Sequence, residues 1–270
     1  MTYQPVVVGS GLVGWQFLKS TQDTQRNVFD KSVTIARDTE YFASEIGKIT
    51  NAEDLVADRR LRRVALGAFG LQDDIDNIFF IRKVLEEGTG SRDALANKLS
   101  DDRYKALANA FAFDSPLGPA TQSRNFAKDI VSRFRAQEFE VAVGNQDESL
   151  RLSLYMERTL PEMANSNSAD DTKWFRVMGT PPLRSVLETA LGLPSGFGQL
   201  DIDKQLEVFR DKMQSRFGVK EIAEIAEPEV MNKVIQTYLL QSQMKQSSAM
   251  GSGQMALTLL QSIPKQSLFG

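Results

Sequence analysis

The chain has 270 residues, of which 41% are apolar and 25% charged, with a formal net charge of −3. That balance describes a globular protein with a sizeable core, without the basic excess that neutralises nucleic-acid phosphates. It contains neither Cys nor His, which excludes disulfides, thiolate and imidazole metal sites, cysteine nucleophiles and Ser-His-Asp triads.

Residues 1–48 read as an extended segment followed by helices. Gly9-Ser10-Gly11-Leu12-Val13-Gly14 has the spacing of a dinucleotide-binding turn. Such a turn needs flanking strands and an acid on the ribose. Ser32-Val33-Thr34-Ile35 and Asp38 are the best available strand and acid. No strand–helix alternation follows, so a parallel sheet is not expected and no cofactor is assigned. The glycines then lead an extended N-terminus into a helix. Trp15, Leu18, Gln22, Gln25 and Phe29 fall at helical spacing. This stripe is only partly apolar, so it predicts a helix lying on a surface or meeting a partner.

Residues 49–115 and 171–240 read as two divergent copies of one helical repeat. LRRVALGAFGL (61–71) and LRSVLETALGL (183–193) share Leu61/Leu183, Arg62/Arg184, Val64/Val186, Ala68/Ala190, Gly70/Gly192 and Leu71/Leu193. Apolar residues recur at three- and four-residue spacing, and each Gly sits where a left-handed cap is wanted. Asp74-Ile75-Asp76 answers Asp201-Ile202-Asp203, and Phe80-Ile81-Arg82 answers Val208-Phe209-Arg210. Each copy is thus a leading helix, an acidic cap, a second helix and a final helix pair. The paired aspartates lack the further ligands and closing Glu of a calcium loop, so capping is the expected role for both.

Arg59-Arg60 and Arg62-Arg63 form the sharpest positive cluster. Asp54 and Asp58 stand at helical spacing from it, as on a solvated helix face. Arg59, Arg60 and Arg63 are candidates for meeting an acidic partner. The equivalent Arg62 and Arg184 are expected to pair with a carboxylate inside each repeat. Trp15, Trp174, Phe79-Phe80 and Tyr41-Phe42 read as core residues ahead of a ligand pocket.

Residues 116–170 read as two longer connecting helices parted by Gly144, then a polar loop at 165–171. Residues 241–270 contain only two charges, Lys245 and Lys265, and read as a poorly charged flexible tail. Met255, Leu259 and Ile263 form a thin apolar stripe there, able to dock in a partner's groove. No apolar run reaches the ~18 residues that span a bilayer, so no membrane insertion is expected. MTYQPVVV carries no classical signal peptide. The fold class expected is therefore all-α and multihelical, with two copies of a repeat joined by two longer helices.

The segments GSGLVGWQFLKST, LRRVALGAFGL, LSDDRYKALANAF, FEVAVGNQDESLRL and LGLPSGFGQLDIDKQ lie between residue 9 and residue 205. In them the chain resembles a family of bacterial helical-repeat proteins of unknown function encoded in flagellar gene clusters. The resemblance implies a helical, repeat-containing protein that is cytoplasmic or flagellum-associated, and it transfers no catalytic residue. The leading expectation is a non-enzymatic structural or interaction protein that binds a protein partner, such as a flagellar component, through helix grooves. A sharper form of it has the chain exported into the axial structure. Two alternatives stand beside it. One is a cytosolic export chaperone or assembly regulator. The other is an enzyme using carboxylates and Lys in a cleft between the repeats, which requires a deep pocket with perturbed acids.

Overall fold

The computed structural model describes residues 3–262, with side chains to residue 246. Among the described residues there are fourteen α-helices and no strand. The first half comprises α1 (Gly11–Asp30), α2 (Val33–Glu45), α3 (Ala52–Ala57), α4 (Arg59–Gly67), α5 (Ile78–Glu87), α6 (Leu95–Lys98) and α7 (Asp102–Phe111). The second half comprises α8 (Phe126–Gly144), α9 (Glu148–Ala164), α10 (Asp170–Met178), α11 (Pro181–Ala190), α12 (Ile202–Phe217), α13 (Ile222–Ile225) and α14 (Pro228–Ser262).

The duplication seen in the sequence recurs element for element. Leading helices α4 and α11 end in the same motif. Gly70 and Gly192 have φ of 71° and 64°. The Leu71 N–H reaches the Leu66 carbonyl at 3.0 Å, and the Leu193 N–H reaches that of Glu188 at 2.9 Å. These are Schellman caps, in which left-handed backbone lets two orphan carbonyls be satisfied. The equivalence also extends further than the sequence showed. The joining helices α8 and α9 match α1 and α2 in order, and α8 has 19 residues against 20 in α1. The halves pack reciprocally: α1 lies on α9 while α8 lies on α2, and α1 and α8 touch each other. Phe29 of α1 meets Phe139 of α8 edge-on at 5.6 Å across this junction.

At the N-terminus the glycines lead into a helix as expected, and the expectation of an uncovered stripe on α1 is corrected. Ser32 is the N-cap of α2, and Val33 to Ile35 are its first turn. Asp38 is buried on that helix. The Gly-rich motif serves packing: a Cβ on Gly14 would stand 2.8 Å from the Gly9 carbonyl oxygen. Trp15, Leu18, Gln22, Gln25 and Phe29 are all buried, and α1 packs on α14, α9, α8 and α2. The partner of that stripe is the chain itself. Gln25 explains why an amide belongs in it. Its Oε1 accepts the Val6 N–H at 2.6 Å and its Nε2 donates to the Val6 carbonyl at 3.0 Å. An extended segment has no backbone partners of its own, and one amide side chain satisfies both groups.

Residues 54–63 do not form one helix. The chain breaks at Asp58, whose carboxylate caps α4 by accepting the Arg60 and Leu61 N–H groups at 2.8 and 3.1 Å. Asp54 stays on α3, bonded to Asn51. The backbone of 241–262 continues α14 as helix. The core is aromatic and continuous across both halves. Trp174 is fully buried, stacks on Phe209 at 5.7 Å and donates Nε1–H to the Lys220 carbonyl at 3.0 Å. Phe197 meets Phe209 edge-on at 5.0 Å. Burying each such ring contributes about 1.5–3 kcal/mol.

Candidate functional site

The arginine cluster divides into distinct environments. Arg63 Nη1 lies 2.8 Å from Oδ2 of Asp38, and its Nη2 lies 3.5 Å from Glu138. Burial raises the Glu138 pKa in spite of Arg63. Arg60 donates to the Arg37 carbonyl at 2.9 Å and lies 3.9 Å over the Tyr41 ring. Tyr41 in turn donates to Asp58 at 2.5 Å. Arg60 and Arg63 therefore clamp α4 to α2 around a buried carboxylate. Arg62 contradicts the expected carboxylate pairing. It is 4% exposed and donates to the Val56 carbonyl. The break between α3 and α4 leaves that carbonyl without a helical donor, and the guanidinium supplies one. Its equivalent Arg184 does pair with a carboxylate, Glu188 at 2.7 Å, and also donates to Gln205 at 2.7 Å. Only Arg59 faces outward, with Asp76 at 3.2 Å and both side chains largely exposed.

A separate apolar surface lies on α3 and α5. Phe79 is 71% exposed and Ile78 43%. Together with Val56 and Ala57 they line a shallow hollow of about 350 Å³, with Glu53 and Arg82 at its edge. Arg82 spans the hollow, 3.7 Å from Glu53 and 5.7 Å over the Phe79 ring. An exposed aromatic centre inside a charged rim is how protein-binding hot spots are built. This corrects the reading of Phe79 as core. Its neighbour Phe80 turns inward to Tyr104 at 5.2 Å, and Trp15, Phe42 and Trp174 are core as expected. The sequence held a signal in the run Ile78-Phe79-Phe80-Ile81. Four consecutive apolar residues exceed what one helical face can bury.

The aspartate pairs serve different ends. Asp201 caps α12 through the Asp203 N–H at 3.0 Å. Asp74 caps no helix; it accepts the Tyr104 hydroxyl at 2.5 Å and the Asn77 amide at 2.6 Å. The helix start in the first repeat falls later, at Asn77.

A cleft of about 510 Å³ separates the halves, walled by α7, α8 and α9 and closed by Arg176 of α10. Phe126, Ile130 and Tyr155 form its apolar part. Arg158 holds buried Glu140 with two bonds of 2.6 and 2.9 Å and donates to Gln137 at 2.7 Å. Arg103 is held by Asp101 at 2.6 Å and bonds the Gly70 carbonyl. Burial raises the Asp102 pKa against the opposing pull of Arg176 and Lys105. The lining contains arginines and carboxylates and no lysine. Four helices and the segments between them contribute these residues, so no local sequence pattern marks the cleft.

Met255 and Leu259 lie on the α14 backbone, beyond the described side chains, and Ile263 lies outside the described residues. Among the described residues no helix is long and apolar enough to cross a membrane.

Fold and surface together define an all-α protein of two related halves, with an aromatic surface patch on the first and a polar cleft between them. The chain belongs to the family described as "Protein of unknown function (DUF1217)", whose model matches residues 68–231. Its fold is similar to that of protein AGR_C_984 from Agrobacterium tumefaciens, known from an X-ray crystal structure. The two are 28% identical with a TM-score of 0.72, over 90% of this chain and 98% of that one. No curated protein matches the chain.

Proposed function

We propose that this chain is a non-enzymatic, flagellum-associated interaction protein that binds a protein partner. The observation that carries the binding reading is the exposed Phe79, with Ile78, Arg82 and Glu53 beside it. A large ring left in water at the start of a helix costs solvation, and a partner that covers it recovers that loss. The flagellar setting rests on the resemblance of the five segments named above. The cleft supports a second reading, a site for a small polar ligand, because it joins a half-buried acid to several arginines. It supplies the pocket that a carboxylate/Lys enzyme requires, without the lysine.

The test is a tagged pull-down from motile cells with the wild-type chain and with Phe79→Glu. A specific partner retained by the first and lost by the second, with unchanged circular dichroism, is the expected result. A partner set indifferent to Phe79→Glu contradicts the assignment of this surface.

A further inference from the structure

The cleft between the halves holds two charged side chains that the packing of the chain does not use. Asp102 is half-buried in the first turn of α7, and Arg176 is exposed in the last turn of α10. Both line the cleft. Among the described residues neither side chain makes an ion pair or a hydrogen bond, with the other or with any third group. They are close enough to feel each other. Burial holds the Asp102 pKa up, and against it Arg176 pulls hardest, ahead of Lys105, which stands outside the lining. The remaining charges of the lining are matched. Glu140 holds Arg158 and Asp101 holds Arg103, each at 2.6 Å, and Arg133 meets Glu162 at 3.3 Å. Asp129 is exposed in the first turn of α8, where it complements the positive end of that helix. Buried Phe126, Ile130 and Tyr155 supply an apolar wall.

We infer that the cleft binds a free α-amino acid with an apolar side chain, its ammonium on Asp102, its carboxylate on Arg176 and its side chain on Phe126, Ile130 and Tyr155. This rests on the reading of the cleft as a small-ligand site and names the class of ligand. The site is separate from the Phe79 surface, so its readout is binding and not motility. One zwitterion answers the unpaired carboxylate and the unpaired guanidinium together, which neither a simple anion nor a simple cation does. A cleft of about 510 Å³ lies within the range of small-molecule sites. Asp102 belongs to the first half and Arg176 to the second, so the ligand bridges the two.

Isothermal titration calorimetry of the full chain with L-phenylalanine tests this. Saturable one-to-one binding is expected. N-acetyl-L-phenylalanine lacks the ammonium, L-phenylalaninamide the carboxylate and glycine the ring. Each is expected to bind at least about tenfold more weakly, as loss of one charged hydrogen bond or one buried side chain brings. Asp102→Asn and Arg176→Gln are expected to weaken L-phenylalanine by a similar factor at unchanged melting temperature. Each variant is also expected to become indifferent to the group it no longer meets: Asp102→Asn binds L-phenylalanine and its N-acetyl derivative alike, and Arg176→Gln does not distinguish the acid from the amide. N-acetyl-L-phenylalanine or inorganic phosphate bound by the wild type as tightly as L-phenylalanine overturns the inference and leaves the cleft a ligand site of another class. A wild-type chain that binds none of these probes at millimolar concentration overturns the inference and the cleft reading together.

Discussion

Three residues illustrate how local chemistry fixes this chain. Gly70 and Gly192 occupy the same cap in the two halves, with different surroundings. A Cβ on Gly192 meets nothing within 4 Å, whereas one on Gly70 would stand 3.0 Å from Nε2 of Gln137. Gly192→Ala is therefore expected to cost only the left-handed backbone strain, about 1–2 kcal/mol. Gly70→Ala is expected to cost more, because Gln137 must also move and its bond to Arg158 with it. Urea denaturation of the two variants measures the difference; equal losses contradict it. Tyr104 offers a pH signature. Burial, then its bond to Asp74, pushes its pKa up to about 12 from 10.0. A raised pKa means that the neutral form is favoured in the folded state. Its contribution is intact below pH 10 and disappears as pH climbs towards about 12. Ultraviolet titration is expected to show late-ionising tyrosines, with Tyr104→Phe removing one of them. A wild-type tyrosine spectrum that titrates entirely near pH 10 contradicts this.

At the scale of elements, what was legible depended on whether the signal was local. The lead helices α4 and α11 were legible because their caps are local: the glycine and the leucine after it sit in one turn. The stripe on α1 was legible as a face, while its covering was not, since α14 lies more than 200 residues away in the chain. Gln22 and Gln25 looked like dilution of an apolar face. The burial of Gln25 follows from a backbone segment that must find donors and acceptors. Gln25→Ala is expected to release residues 3–8 and to cost roughly 1–3 kcal/mol, the penalty for stranding buried polar groups. Faster amide hydrogen exchange at Val6 would register it, and unchanged protection there would contradict it. The Arg60–Arg63 clamp was illegible for the same reason as the cleft. Asp38 is 25 residues from Arg63 and meets it only after α2 and α4 pack. Asp38→Ala removes the shared partner of Arg37, Arg60 and Arg63, whose side chains are partly exposed, and is expected to cost about 1–3 kcal/mol. A loss below about 1 kcal/mol, the range of a surface pair, contradicts a structural clamp.

At the scale of the whole molecule, duplication supplies both stability and surface. The two halves bury one continuous core. They leave their second helices, α5 and α12, with apolar starts on the outside. One wall of the cleft is held by Arg158 and Glu140, which tie α9 to α8 within the second half. Surface and cleft make opposite demands, and complementation of a deletion strain, read as swimming motility, separates them. The account predicts that Phe79→Glu fails to restore motility while Asp102→Asn restores it as the wild type does. Full motility with Phe79→Glu and none with Asp102→Asn would contradict it and move the function into the cleft.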